Sequence, residues 1–520
     1  MTGDQNYLEK AFIAADRNKD SQLATGIKDE ESKKMGGVSD SLIQKEKNLQ
    51  EESAFYQSLI REARQKEIPD LVKISKIQND LTNSLVALEK TSKFIIENYP
   101  RYRQLKISEK EINIDTLKTM IGNKTLIEYA FAGDSLYTFI LSGASLHLLS
   151  QPINDIENKI LSYRKYLTDI TDSATYTSIG IKRYINSSYK VYSLLFQHIK
   201  SYISGKEIIL IPDGILSLIP FESLVTNDSI PAQNDYSLLN YLLYNYSINY
   251  TSSAKLYMMQ QNMKSFRTDG VLAFAPKYGK VYIRDNTRKK GTDSLSFTLF
   301  DSETEARNVV NIFGGKVITG TNATKSYFKK YADDGKILHL SMHAIVNDAY
   351  PMNSYLAFKM GSSESENDYL NVYEIYNINL HTPLVVLSSC NTGGGKIIKG
   401  EGAISISRGF VYAGCPSLVT TLWSVADLNS SRLMTYFYKD LKDGERIDKS
   451  LQQAKIQYIE NSDQINSHPF YWAGFIQSGK TGAISISSKK YHILLIGILI
   501  IVSLVYTTRK YLRYKKRGRL

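Results

Sequence analysis

Two short apolar runs, each ending in a chemically capable side chain, restrict this chain more than any other feature. Ile337-Leu338-His339-Leu340-Ser341-Met342 ends in His343, and Leu384-Val385-Val386-Leu387-Ser388-Ser389 ends in Cys390, followed by Asn391, Thr392 and three glycines, Gly393 to Gly395. Runs this apolar, bounded by turn residues, read as strands buried on both faces, which belong to parallel sheets. The 47 residues from His343 to Cys390 suffice for one strand-helix-strand crossover with additions. If the two runs are neighbours, thiol and imidazole emerge on the same rim of the sheet, where α/β proteins build their sites. A cysteine and a base that meet in space make a Cys-His hydrolase the leading expectation.

The texture between residues 117 and 480 agrees with such a sheet. Residues 125–131 and 136–141, joined at Gly133-Asp134, predict a hairpin, and further strands are expected at 208–211, 271–275, 316–319, 355–358, 417–421 and 471–476. Helical spacing separates most of them, at 302–313, 324–331, 403–413, 430–441 and 448–459. This alternation predicts an α/β fold, a mixed, mostly parallel sheet covered by helices on both faces. Before it, residues 6–16, 39–66 and 74–99 read as amphipathic helices, so residues 1–110 are taken as one helical region. A plain helical spacer without chemistry is the bland reading of that region.

A formal charge of +12 suggests a nucleic-acid partner until it is located. The segment from Arg509 to Leu520 holds seven basic residues and no acid, and without it the balance falls to about +5, so no nucleic acid is expected. The tail follows eighteen uncharged residues, Tyr491 to Thr508. At about 1.5 Å per residue they span roughly 27 Å, which predicts a single C-terminal membrane helix over 489–510 and a basic tail over 511–520. The side of the membrane stays open: the flanking charge puts the tail in the cytoplasm, yet residues 1–20 lack an export signal. That conflict favours reading the chain as the C-terminal part of a longer product. With only Cys390 and Cys415, no disulfide framework is implied.

A set of separated blocks then identifies a resemblance. In order they are Leu210-Ile211-Pro212-Asp213-Gly214 with Leu218 to Leu224, Leu338 to Ala344, Leu384 to Gly393, and Gly400-Glu401-Gly402. They continue with Arg408-Gly409-Phe410, Ala413-Gly414-Cys415, Leu422 to Asp427, Phe437-Tyr438 and His468 to Phe475. The chain resembles a CHAT domain, the caspase-like cysteine peptidase module often found behind tetratricopeptide repeats and related to caspases and separases. The resemblance covers residues 117–479 and assigns a caspase-like domain to 111–480, with the helices before it looking like the last of a repeat array plus a connector. It implies a Cys-His dyad at His343 and Cys390. One departure is that caspases carry glycine after the histidine where this chain has Ala344.

Resemblance and residues together set out the chemistry. Cys390 would attack a peptide carbonyl with His343 as base, and the backbone N–H groups of Ala344 and Cys390 would receive the oxyanion. A lone cysteine is more often core than catalyst, and Cys415 is expected to show this by packing under the sheet. His339, inside its run, is the expected decoy. Glu401 and Asp427 are read first as acids at helix N-termini, and second as substrate-binding groups that read a basic residue beside the cut. No zinc spacing and no GxxxxGK[ST] context occur, so neither metal nor cofactor is expected. The reading is a membrane-anchored, caspase-like cysteine endopeptidase acting on a protein or peptide, activated by a protein bound to the N-terminal helices. Its rival is a catalytically silent scaffold of the same fold.

Overall fold

The computed structural model describes residues 5–17, 19, 33, 37–64, 70–99, 102, 112–264, 266–278, 302–345, 354–359, 368–388, 396–398, 402–404, 406–423, 427–486 and 503–509. In chain order the strands are β1 (Thr125–Ala132), β2 (Ser135–Ser142), β3 (Ser145–Pro152), β4 (Glu207–Ile211), β5 (Ser247–Tyr250), β6 (Val271–Pro276), β7 (Gly315–Gly320) and β8 (Ile337–Leu340). They continue as β9 (Ala344–Ile345), β10 (Tyr355–Lys359), β11 (Asp368–Asn371), β12 (Val385–Leu387), β13 (Lys396–Ile398), β14 (Gly402–Ile404), β15 (Ser417–Thr421) and β16 (Phe475–Gly479).

Eleven of these strands form one sheet in the order β3-β2-β1-β4-β5-β16-β15-β12-β8-β6-β7. Neighbours are parallel except at β3/β2, β2/β1 and β15/β16, so the sheet is mixed and mostly parallel, as expected. Strand side chains alternate between faces, and both faces are covered. Tyr129, Leu210, Ala273, Ile337, Val386 and Val419 point into one core, roofed by the helices Ile156–Thr168, Ser178–Leu195, Ser302–Phe313, Asp427–Lys442 and Ile447–Glu460. Leu126, Ile209, Leu272, Leu338, Val385 and Leu418 point the other way, under Ile114–Ile121, Ala254–Asn262, Lys325–Tyr331, Val372–Ile375 and Ile406–Tyr412. Burial on two sides is why the runs are continuously apolar rather than alternating.

Some expectations need correction. The strand read at 471–476 begins at Phe475, and Pro469–Tyr471 is a 3-10 turn. Its aromatic residues suggested a strand, yet Trp472 fills the core from the loop, with its indole N–H on the Ser467 carbonyl at 3.1 Å. Gly474 then lets Trp423 lie close, since a Cβ there would stand 3.1 Å from the indole. The helix read at 403–413 starts at Ile406, because residues 402–404 are drawn into pairing with β13. β10 joins β9 and β11 in a separate three-stranded sheet rather than the main one.

The N-terminal helices fall where expected, at Gln5–Arg17, Asp40–Arg64 and Leu71–Asn98. The first is built into the domain. Phe12 packs edge-on against Phe139 at 5.7 Å, Asp16 accepts from the N–H groups of Ala254 and Lys255, and Lys19 pairs with Glu128 at 3.1 Å. No helix among the described residues is long and apolar enough to cross a membrane. The expected anchor over 489–510 lies largely outside them, and its described part, 503–509, is helical.

Candidate functional site

β8 ends at Leu340, and Ser341 and Met342 carry the chain beyond the sheet edge to His343, which is buried at 5 % exposure. Its neighbour is Tyr278, two residues past the end of β6, the strand beside β8. The two rings lie 4.6 Å apart at 38°. The Tyr278 hydroxyl accepts from the His343 backbone N–H at 3.1 Å and donates to the Ala357 carbonyl, while the Ala357 N–H returns to the His343 carbonyl at 2.9 Å. An ordinary antiparallel rung would bond His343 N–H directly to Ala357. Here a phenol oxygen is inserted into it. Ala344 is paired with Leu356, and because successive residues of a strand address opposite neighbours, its N–H faces away from β10.

Cys390 lies outside the described residues, as do Gly393 to Gly395 and Glu401. The strand leading to it is well defined. β12 pairs in parallel with β8, Val385 opposite Leu338, Val386 opposite His339 and Leu387 opposite Leu340. That register is an offset of 47 residues, the same number that separates His343 from Cys390. Asp427 is expected at the N-terminus of the helix over 430–441. The helix starts at Asp427 itself, so this residue belongs to its first turn.

Beneath the strand ends lies a buried polar cluster around Glu305, on the helix Ser302–Phe313. One of its oxygens takes hydrogen bonds from His339 Nε2 and Ser341 Oγ, each at 2.9 Å, and the other from Ser430 Oγ at 2.7 Å. Ser388 lies close enough to lower this carboxyl further. Burial alone would push the Glu305 carboxyl up, but the His339 bond and charge and the two serines outweigh it and hold it below the ordinary carboxylate range. His339 Nδ1 lies 3.2 Å from the Tyr438 hydroxyl.

His339 is fully buried, as the decoy reading required. Cys415 is a core residue: its thiol donates to the Ser417 carbonyl at 3.0 Å and is pushed up to about 12 by burial, far from a reactive thiolate. Sequence reasoning missed Glu305 and Tyr278. Glu305 was visible as an acid on the apolar stripe of its helix, beside Ala306 and one turn before Val309. Tyr278 gave no such signal, since its role depends on β6 lying next to β8.

A family model described as CHAT domain matches residues 186–480. Among curated proteins, tetratricopeptide repeat protein 28 of Mus musculus is 31% identical over 110 residues, 21% of this chain and 4% of the relative. The Homo sapiens protein of the same name is 25% identical over 209 residues, 34% of this chain and 8% of the relative. The chain spans less than a tenth of the length of these curated relatives. Among solved structures it is similar to separase in the Saccharomyces cerevisiae separase-securin complex, with a TM-score of 0.47 and 10% identity, over 79% of this chain and 34% of that one.

Proposed function

Since the chain belongs to the CHAT domain family, we propose that it is a cysteine endopeptidase with Cys390 as nucleophile and His343 as general base. The observation that carries this reading is the register of β8 and β12, whose 47-residue offset equals the spacing of the two residues. We take the same offset to hold beyond the strand ends, which would bring Cys390 to His343.

In the proposed reaction the thiol passes its proton to the imidazole as sulfur bonds to the scissile carbonyl carbon. The C–N bond then breaks, and the imidazolium protonates the leaving amine. Water, deprotonated by the same imidazole, releases the acyl group and restores the thiol. The Ala344 N–H, turned away from β10, serves as an oxyanion donor together with that of Cys390. Glu401 and Asp427 are proposed to bind a basic substrate residue.

The helical pair Asp40–Arg64 and Leu71–Asn98 is the proposed landing place for an activating protein. It touches the segment between the two dyad residues, with Glu51 near Asn377 at 3.4 Å and Lys47 near Asn379 at 3.5 Å. The uncharged stretch 491–508 is proposed as a membrane anchor, and protease protection on vesicles reports both its insertion and the side on which the domain lies.

The test of the peptidase reading is labelling by a peptidyl acyloxymethyl ketone library, alone and with candidate activators. Wild type and Cys415→Ala should label equally, Cys390→Ala not at all, and His343→Ala about 10²–10⁴-fold more slowly. Labelling that survives in Cys390→Ala and vanishes in Cys415→Ala overturns the assignment of the nucleophile, and its absence from wild type under every condition favours the scaffold.

A further inference from the structure

We propose that the helical pair Asp40–Arg64 and Leu71–Asn98 is a detachable arm, clasped to the domain by Lys329, and that the clasp sets how firmly the main chain of His343 is held. Only the last step, from a held main chain to a controlled histidine, rests on the peptidase reading above. Among the described residues, the apolar clusters of the pair, one around Ile60 and Ile74 and one around Ile43 and Ile95, hold no residue of the domain. The arm meets the domain through polar contacts. Lys329, on the helix Lys325–Tyr331, stands between the buried carboxylate of Glu374 at 2.7 Å and that of Glu51 on the arm at 3.9 Å. Asn377 donates to Glu51 at 3.4 Å, and Lys47 to Asn379 at 3.5 Å.

Glu374 carries the junction inward. Its carboxylate also takes Lys325 at 3.3 Å and accepts from the Asn371 N–H at 3.1 Å, capping the short helix Val372–Ile375 at the end of β11. Lys325 Nζ donates in turn to the Tyr369 carbonyl at 2.9 Å. Tyr369 pairs with Ala357 of β10, and the Ala357 N–H holds the His343 carbonyl at 2.9 Å. Two residues, Tyr369 and Ala357, thus stand between Lys325 and the peptide of the histidine. Partly exposed ion pairs such as Glu51–Lys329 are each worth at most about fivefold in an equilibrium constant, and salt weakens them. An interface of this kind opens while the domain stays folded. Opening exposes Glu374 and its two lysines to water, which weakens their hold on β11.

The experiment follows amide hydrogen exchange of the full-length chain by mass spectrometry, at about 0.05 M and about 0.5 M salt, in wild type, Lys329→Gln, Lys329→Arg and Glu51→Gln. In low salt, Lys329→Gln and Glu51→Gln should each speed exchange about 3- to 5-fold in residues 372–381 and in β10 and β11, and Lys329→Arg should keep the wild-type rate. High salt should do the same to wild type and add little to Lys329→Gln. β6 and β8, in the middle of the domain, should exchange alike in every sample. Exchange in residues 372–381 that neither salt nor either glutamine variant moves overturns the clasp. Should Lys329→Gln fail to fold, an unmoved Glu51→Gln does the same. A change that stops at residues 372–381 and leaves β10 and β11 at the wild-type rate overturns the link to His343. None of these rates depends on Cys390, so loss of labelling in the test above sinks the peptidase role and leaves the clasp standing.

Discussion

The N-terminal part of the chain contains two kinds of helix. Gln5–Arg17 buries Phe12 against β2, caps the helix Ala254–Asn262 with Asp16 and leads to the buried Lys19–Glu128 pair. The pair Asp40–Arg64 and Leu71–Asn98 packs mainly on itself, through Ile60, Ala63, Ile74 and Ile77, and meets the domain through polar contacts such as Glu51–Lys329 at 3.9 Å. Similar amphipathic texture thus gives an integral part of the domain in one case and an appendage in the other. What separates them is the target of the apolar face, an uncovered sheet for one and a sister helix for the other.

The sharpest way to break this contrast is Phe12→Ala, expected to cost the domain about 3–5 kcal/mol in urea unfolding. A loss as small as that of a surface change would make the first helix an appendage too. Next comes pH. Burial pushes the Asp16 carboxyl up to about 6 and the Glu128 carboxyl up to about 8, against the partial opposition of backbone bonds and Lys19. Both folded values exceed the unfolded ones, so their stabilisation is full below about pH 4 and is lost as pH rises through about 6 and then about 8. Unfolding free energy should fall by about 2–4 kcal/mol between pH 5 and 9, and Glu128→Gln should remove most of the slope. The smallest effect is expected from Glu51→Gln on the appendage. It should stay within about 1 kcal/mol, as for other partly exposed ion pairs, and a larger loss would tie the helical pair into the core.

Much of the sheet was legible because its strands are buried on both faces. Residues 208–211, 271–275 and 337–340 could hardly be anything else, and the helix over 302–313 was bounded correctly by its acidic first turn and its apolar period. Strand order was not legible. β16, last in the chain, lies between β5 and β15, and nothing local in Phe475–Gly479 announces that non-local pairing. The candidate site divides the same way. His343 could be singled out from a strand end, and the strand that leads to it is in register with β12. Glu305 and Tyr278, which act across elements, became visible only once the helix 302–313 and β6 were set against β8.

The phenol oxygen between His343 and Ala357 has a mechanical consequence. The Tyr278 hydroxyl is hydrogen-bonded to the main chain of the histidine, so a shift of residue 278 is also a pull on the peptide that carries the imidazole. Were that oxygen withdrawn, the two backbones would be free to close to the ordinary spacing of about 5.5 Å, and the ring would swing with them. One side-chain oxygen thereby acts as a spacer that sets the distance at which the histidine is held from its neighbouring strand.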